Sequence, residues 1–86
     1  MEYRVEIKER AIKELNKLQA EIGKRVLNSL ESLASNPRPA QSRKLIETAS
    51  SYRLRVGDYR VLYQVDDKGK IITVFRIAHR REVYRY

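Results

Sequence analysis

The chain has 86 residues, enough for one small domain, and a domain of this size buries only about 60–65% of its unfolded surface, so its core is thin. It has no cysteine and a single histidine, His79, which excludes a disulfide framework and thiolate metal sites and leaves no basis for a zinc cluster. Nineteen Lys and Arg against eleven Asp and Glu give a formal charge of +8, and a small basic domain of this kind most often meets a polyanion, with RNA or DNA first. No apolar run approaches the roughly 20 residues of a membrane span. The start, MEYRVEIKER, is charged from its second residue and does not read as a secretory signal. A cytoplasmic protein without a membrane partner is expected.

The first segment alternates. Tyr3, Val5 and Ile7 interleave with Glu2, Arg4 and Glu6, the period of a half-buried strand. From Glu9 the period becomes helical: Ala11, Ile12, Leu15 and Leu18 share a stripe, with Glu14 and Lys17 on the wet side. Ile22, Val26, Leu27, Leu30, Leu33 and Ala34 make a second stripe. Two helices, about 8–20 and 21–35, are expected as an antiparallel hairpin. Asn36-Pro37-Arg38-Pro39 ends the second, because Pro cannot continue a helix and pushes its predecessor into extended conformation. Residues 40–50 read as a loop anchored by Leu45 and Ile46.

Three strands follow. Tyr52, Leu54 and Val56 alternate with Arg53 and Arg55, and Gly57-Asp58 makes a tight turn. Tyr59, Val61, Tyr63 and Val65 alternate with Arg60, Leu62 and Gln64 up to a second turn at Asp66-Asp67-Lys68-Gly69. Residues 71–78 are apolar on both parities except at Thr73 and Arg76, as for a strand inside a sheet. The tail from His79 to Tyr86 is short and charged, and no C-terminal helix is expected. The chain therefore reads as a single α+β domain over residues 1–86. It has an N-terminal strand, a two-helix hairpin and a three-stranded antiparallel meander, with the helices on one face of a four-stranded, mostly antiparallel sheet.

The positive charge is uneven. Residues 1–50 carry ten basic and seven acidic side chains, and residues 51–86 carry nine and four; seven of those nine are Arg. Arg offers a rigid fork of donors that fits phosphate two bonds at a time. If the helices cover Tyr52, Leu54, Val56, Tyr59, Val61, Tyr63 and Val65, then Arg53, Arg55 and Arg60 face the other way. Ile72, Val74, Arg76, Ala78 and Arg80 share a parity, so Arg76 and Arg80 join them if that parity also faces away. Like charges side by side destabilise a sheet, and an anion seated among them relieves the conflict.

No Walker loop, GxGxxG or GxSxG is present, and no acid pair is placed for glycosidase or metal-ion work. Arg, Tyr and one His remain, a set that suits a metal-free RNase without a cofactor. The ribose 2′-OH attacks its own phosphate, Arg stabilises the charged transition state, and Tyr or His moves protons. His79-Arg80-Arg81-Glu82-Val83-Tyr84 is the densest cluster of such groups. His79 is either a proton carrier or a strand-end histidine bonded to a backbone carbonyl, on the parity of Ile71, Phe75 and Ile77 and so turned toward the helices. Tyr84 is either a catalytic or stacking group or an aromatic plug at the edge of the core.

The stretches Tyr52-Arg53-Leu54-Arg55-Val56-Gly57-Asp58-Tyr59-Arg60-Val61-Leu62-Tyr63 and His79-Arg80-Arg81-Glu82-Val83-Tyr84 resemble the RelE/ParE toxin superfamily, and more closely its RelE-like branch. The resemblance covers nearly the whole chain. It implies a type II toxin held inactive by a cognate antitoxin that wraps a helix or strand around it. It further implies a metal-independent endoribonuclease that enters the ribosomal A site, cleaves mRNA there and inhibits translation. Carried over by position, the resemblance assigns catalysis to Arg55, Arg60, Arg80 and Tyr84, with Arg81 in place of Arg80 under a shifted alignment. Arg53, Arg55, Arg76, Arg81 and His79 are the RNA- and ribosome-binding candidates. Arg stands at 53 and 55 where some RelE toxins have Lys. Arg does not give up its proton, so any base is Tyr84 or His79, or the step relies on electrostatics and positioning. The exposed sheet edge or apolar groove left by the missing C-terminal helix is the expected antitoxin dock. The other readings are a ParE-like, non-enzymatic toxin that inhibits gyrase and a nuclease-dead RNA-binding relative.

Overall fold

In a computed structural model, residues 2–45 and 50–83 are described. Their order is β1 (Arg4–Ile7), α1 (Glu9–Asn16), α2 (Ala20–Ser35), β2 (Ser42–Lys44), β3 (Ser51–Val56), β4 (Tyr59–Asp66), β5 (Ile71–His79) and α3 (Arg80–Val83). The five strands form one mixed sheet in the order β1-β5-β4-β3-β2. β1 runs parallel to β5, and the remaining pairs are antiparallel. The parallel pair follows from the crossover: two helices between β1 and the rest of the sheet leave room for it, whereas the two-residue turn after Val56 enforces an antiparallel neighbour. Gly57 takes φ +59° at the first central position of that turn, where a primed turn favours glycine.

The helices lie on one sheet face, as the two stripes imply. Ala11, Val26, Leu30 and Leu33 pack on Leu54, Val56, Val61, Tyr63, Val65, Ile72, Val74 and Ile77, with Tyr52 partly buried at the margin. Tyr63 is fully buried, and its hydroxyl donates to the Pro37 carbonyl at 2.7 Å, which ties the segment after α2 to the sheet.

Several expectations are corrected. The sheet has five strands, because Ser42–Lys44 pairs with Leu54–Tyr52 inside the supposed loop. A three-residue edge strand with two exposed cations carries too little apolar pattern to be read from sequence. Ile46 lies outside the described residues. Ile12 and Leu27, placed on the apolar stripes, are 43% and 46% exposed. Glu14 is not on the wet side. β1 ends opposite Val74 while β5 runs on, and Glu14 Oε1 accepts the N–H of buried Ile77 at 2.7 Å. The end of the chain also differs, for Arg80–Val83 forms a single helical turn.

The largest correction lies in β5. Leu62 pairs with Arg76 and Tyr63 with Val74, so Phe75 is an extra residue and the alternation slips there. Ile72 and Val74 therefore join the helix-side core, while Ala78 joins Leu62 on the opposite face. Phe75, expected on the helix side, packs with Leu62 and Ala78.

Candidate nucleic-acid interface

Strand pairing builds a cluster of cations on the face away from the helices. Arg43 stands directly across from Arg53, and Arg55 directly across from Arg60. Directly opposed side chains in antiparallel strands lie about 5 Å apart at Cβ, so four guanidinium groups share one small area. They surround a cleft of about 360 Å³ lined by Ala40, Gln41, Arg43, Arg53, Arg55 and Arg60. Among the described residues none of the four has an acidic partner within ion-pair distance.

Arg60 is the most firmly held. Its Nη1 donates to the carbonyl oxygens of Gly57 at 3.1 Å and Tyr59 at 2.9 Å, which pins it at the β3–β4 turn. Burial pushes its pKa below the ordinary Arg value, and the charges of Arg53, Arg55 and Arg80 push the same way, against Asp58. An arginine so placed stays charged, and the downward shift marks a site that a bound anion would stabilise. Arg43 is held by the carbonyls of Ala40 at 3.3 Å and Ser42 at 3.1 Å.

The candidates of the final tract separate. Arg80 comes to the same end of the sheet: its backbone N–H donates to the Asp58 carbonyl at 2.8 Å, and its Nη1 lies 3.9 Å from the Asp58 carboxylate. Arg76 does not converge on the cleft. Its Nε donates to Glu14 Oε2 at 3.1 Å, and its side chain is only 15% exposed, which makes it part of the seam between α1 and β5. Arg81 is exposed on α3.

His79 lines a different depression, with Gln19, Ile22, Arg25, Gly57, Asp58 and Tyr59, on the helix side. Its ring meets Tyr59 edge-on at 5.4 Å. Among the described residues its ring bonds to neither the cleft nor a backbone carbonyl. Its Nδ1 accepts the Arg81 N–H at 3.3 Å, while Glu82 Oε1 accepts the His79 N–H at 3.3 Å. That reciprocal pair is a capping box that starts α3, and the His-x-x-Glu spacing was the available signal for it. Tyr84 lies outside the described residues.

Two residues of the cleft went unread in the sequence, Arg43 and Gln41. Both follow Pro39 through a turn closed by the Ser42 N–H on the Pro39 carbonyl at 2.9 Å, and no apolar pattern in the sequence marks them.

The family model described as the ParE toxin of the type II toxin-antitoxin system parDE matches residues 5–84. A candidate toxin, RelE1, of Methanocaldococcus jannaschii is 32% identical over 99% of this chain and 98% of its own length. In the crystal structure of the archaeal RelE-RelB complex from Pyrococcus horikoshii, one chain superposes with a TM-score of 0.84 at 35% identity, over 93% of this chain and 97% of that one. A chain of the toxin-antitoxin complex RelBE2 from Mycobacterium tuberculosis gives 0.81 at 28% identity, over 92% and 99%.

Proposed function

The chain belongs to the RelE/ParE superfamily of type II toxins, and from that premise we propose that it is a ribosome-dependent endoribonuclease that cuts mRNA in the A site and so inhibits translation. The observation that carries this reading is the cleft of Arg43, Arg53, Arg55 and Arg60, four cations without an acidic partner among the described residues. A protein that acted only by docking on another protein gains nothing from such internal repulsion. A site that grips a phosphate does, because the anion supplies the missing counter-charge.

In the proposed reaction the ribose 2′-oxygen attacks the adjacent phosphorus and the 5′-oxygen departs. The products are a 2′,3′-cyclic phosphate and a 5′-hydroxyl end. The extra negative charge that develops on the phosphoryl oxygens falls to Arg60, with Arg55 and Arg80 beside it. Arg43 and Arg53 hold the flanking backbone, and Arg81, exposed on α3, contacts RNA or ribosome. Arg76 supports the sheet beneath rather than touching RNA. Tyr84, the residue after α3, is assigned the proton transfer that arginine cannot perform, and His79 serves by fixing α3 and thereby Arg80. No part of this scheme calls on a metal, in keeping with a chain that has no cysteine and one histidine.

The partner assigned here is a cognate antitoxin, since solved relatives are RelE-RelB complexes. Exposed Ile12 and Leu27 on the helices offer apolar contacts for it. The test is translation in vitro with the purified protein, followed by mapping of mRNA 5′ ends. Cuts within the A-site codon are expected; intact ribosome binding without such cuts rules the reading out. The matched family model bears the ParE description and keeps gyrase inhibition as the second reading, which predicts loss of supercoiling activity by purified gyrase and no RNA cleavage.

A further inference from the structure

The arginine cleft does not stop at Arg55. A second groove, of about 710 Å³, opens between α2 and the β3–β4 turn, and Gln41 and Arg55 line both. Its walls carry Arg25, Asn28, Ser29 and Ser32 from α2, and its floor is Leu54, Val56 and Gly57. The depression at Tyr59 and His79 continues from it, sharing Arg25, Gly57 and Asp58. Three adjoining depressions thus pass around the end of the β3–β4 hairpin.

Arg25 is the cation at the centre of this path. It is exposed, and among the described residues it has no acidic partner within ion-pair distance. Its guanidinium lies against the turn: a Cβ on Gly57 would stand 3.3 Å from Arg25 Nη1. Glycine at 57 therefore serves twice, through its φ of +59° and through the close approach it allows. The acid in the groove, Asp58, faces Arg80 at 3.9 Å. The arginines that do have acidic partners, Arg4, Arg10, Arg38, Arg76 and Arg80, pair with Glu6, Glu14, Asp67, Glu14 and Asp58. Arg25 instead belongs with the unpaired set of Arg43, Arg53, Arg55 and Arg60, and Arg55 joins the two grooves.

We propose that the groove between α2 and the β3–β4 turn is a second anion site. In it Arg25 holds the phosphate of a nucleotide flanking the cleaved one, so that a single RNA strand runs from the arginine cleft over Gly57. Asn28, Ser32 and Gln41 then present amide and hydroxyl groups to the sugar and base edge, the chemistry by which single-stranded RNA is held once its bases are unstacked. The inference rests on the RNA-cleavage reading and extends its substrate site by one nucleotide.

The test uses the full-length protein and fully 2′-O-methylated oligoribonucleotides, which cannot be cut by 2′-oxygen attack. One oligonucleotide is short enough to fill only the arginine cleft, and one extends beyond it on both sides. Affinity is read by fluorescence anisotropy across a salt series for the parent, Arg25→Ala, Arg25→Lys and Arg60→Ala. Arg25→Ala should weaken the long strand about tenfold, the worth of one charge-assisted contact. It should also reduce the steepness of log affinity against log salt by about 0.7, one phosphate of a single strand. The short strand should bind as to the parent, and Arg25→Lys should recover part of the loss. Thermal melting checks that the exposed substitution leaves the fold intact. If Arg25→Ala leaves the long strand's affinity and salt slope unchanged while Arg60→Ala weakens both strands, RNA does not pass over Gly57 and the proposal falls, with the cleavage site standing. If the parent binds neither strand, or Arg60→Ala also has no effect, this face holds no RNA of its own and the inference falls, while A-site cleavage is decided separately by the mapping of mRNA 5′ ends.

Discussion

On the proposed reading, Arg60 joins folding and function in one side chain. Two carbonyls of its own turn fix the guanidinium, while burial and three neighbouring arginines oppose its charge. In the proposed reaction its replacement removes a transition-state contact, and losses from such contacts run to about 10²–10³-fold. Arg60→Ala is therefore expected to lower the rate of ribosome-dependent cleavage by about that factor while circular dichroism and the melting curve stay close to the parent. Tyr84→Phe should lower the rate with little effect on ribosome binding, because it removes a proton and keeps the ring; a rate equal to the parent's would show that Tyr84 handles no proton. Arg55 makes the opposite point about stability. It stands directly across from Arg60, and like charges so opposed cost roughly 0.2–1 kcal/mol. Arg55→Gln should thus raise the melting temperature slightly at low salt and lose that advantage as salt screens the repulsion, while cleavage falls. A variant that melts lower than the parent at every salt concentration would show that the Arg55–Arg60 pair carries no strain.

At the scale of elements, the places where pattern reading failed are those where alternation breaks or the segment is short. The helical stripes and the Tyr-Arg alternation of β3 and β4 were legible, because each spans a strand or two turns with one face buried. β2 was not, since Ser42–Lys44 shows no apolar period. Nor was the bulge at Phe75, because a strand apolar on both faces carries no signal to locate a slip. That slip placed Arg76 by the wrong rule, and its real partner, Glu14, sits on what reads as the wet side of α1. Glu14 closes the edge that β1 leaves open, taking the Ile77 N–H and the Arg76 guanidinium together. Glu14→Ala should destabilise the fold by about 1–3 kcal/mol in chemical denaturation, since it removes one carboxylate from Arg76 and the acceptor from the buried strand-edge N–H of Ile77. Glu14→Gln keeps an acceptor for Ile77 and should cost about half as much. Equal losses for the two would place the whole effect in the charge, not in the strand edge.

Across the whole molecule the charge is sorted by position. The hairpin end of the sheet gathers arginines without an acidic partner among the described residues, while the far end holds a clasp in which charge is matched. There Arg38 donates to Asp67 through Nη1 at 3.3 Å and Nη2 at 2.8 Å and to the Tyr52 hydroxyl at 2.8 Å, and Tyr3 donates to Asp67 at 2.5 Å. The clasp ties the segment after α2 to the β4–β5 turn and to the residue before β1, so the N-terminus, the proline segment and the sheet close on one carboxylate. Arg38, then Tyr3, hold Asp67 below the ordinary carboxylate pKa. A carboxyl whose folded pKa is depressed contributes stability that is fully present above its unfolded value, near pH 4, and is lost as pH falls through the folded value. Asp67→Asn should therefore be less stable than the parent from neutral pH down to about pH 5, and the gap should narrow below about pH 4 as the parent's own Asp67 takes up a proton. The site is exposed and screened, so raising salt at neutral pH should narrow the gap as well. Because the clasp lies at the other end of the sheet from the arginine cleft, Asp67→Asn should cleave at the parental rate at temperatures where both proteins are folded. Urea melts across pH, paired with cleavage assays at neutral pH, read the two expectations separately. A stability gap that persisted unchanged to pH 2 would show that the amide loses packing rather than charge.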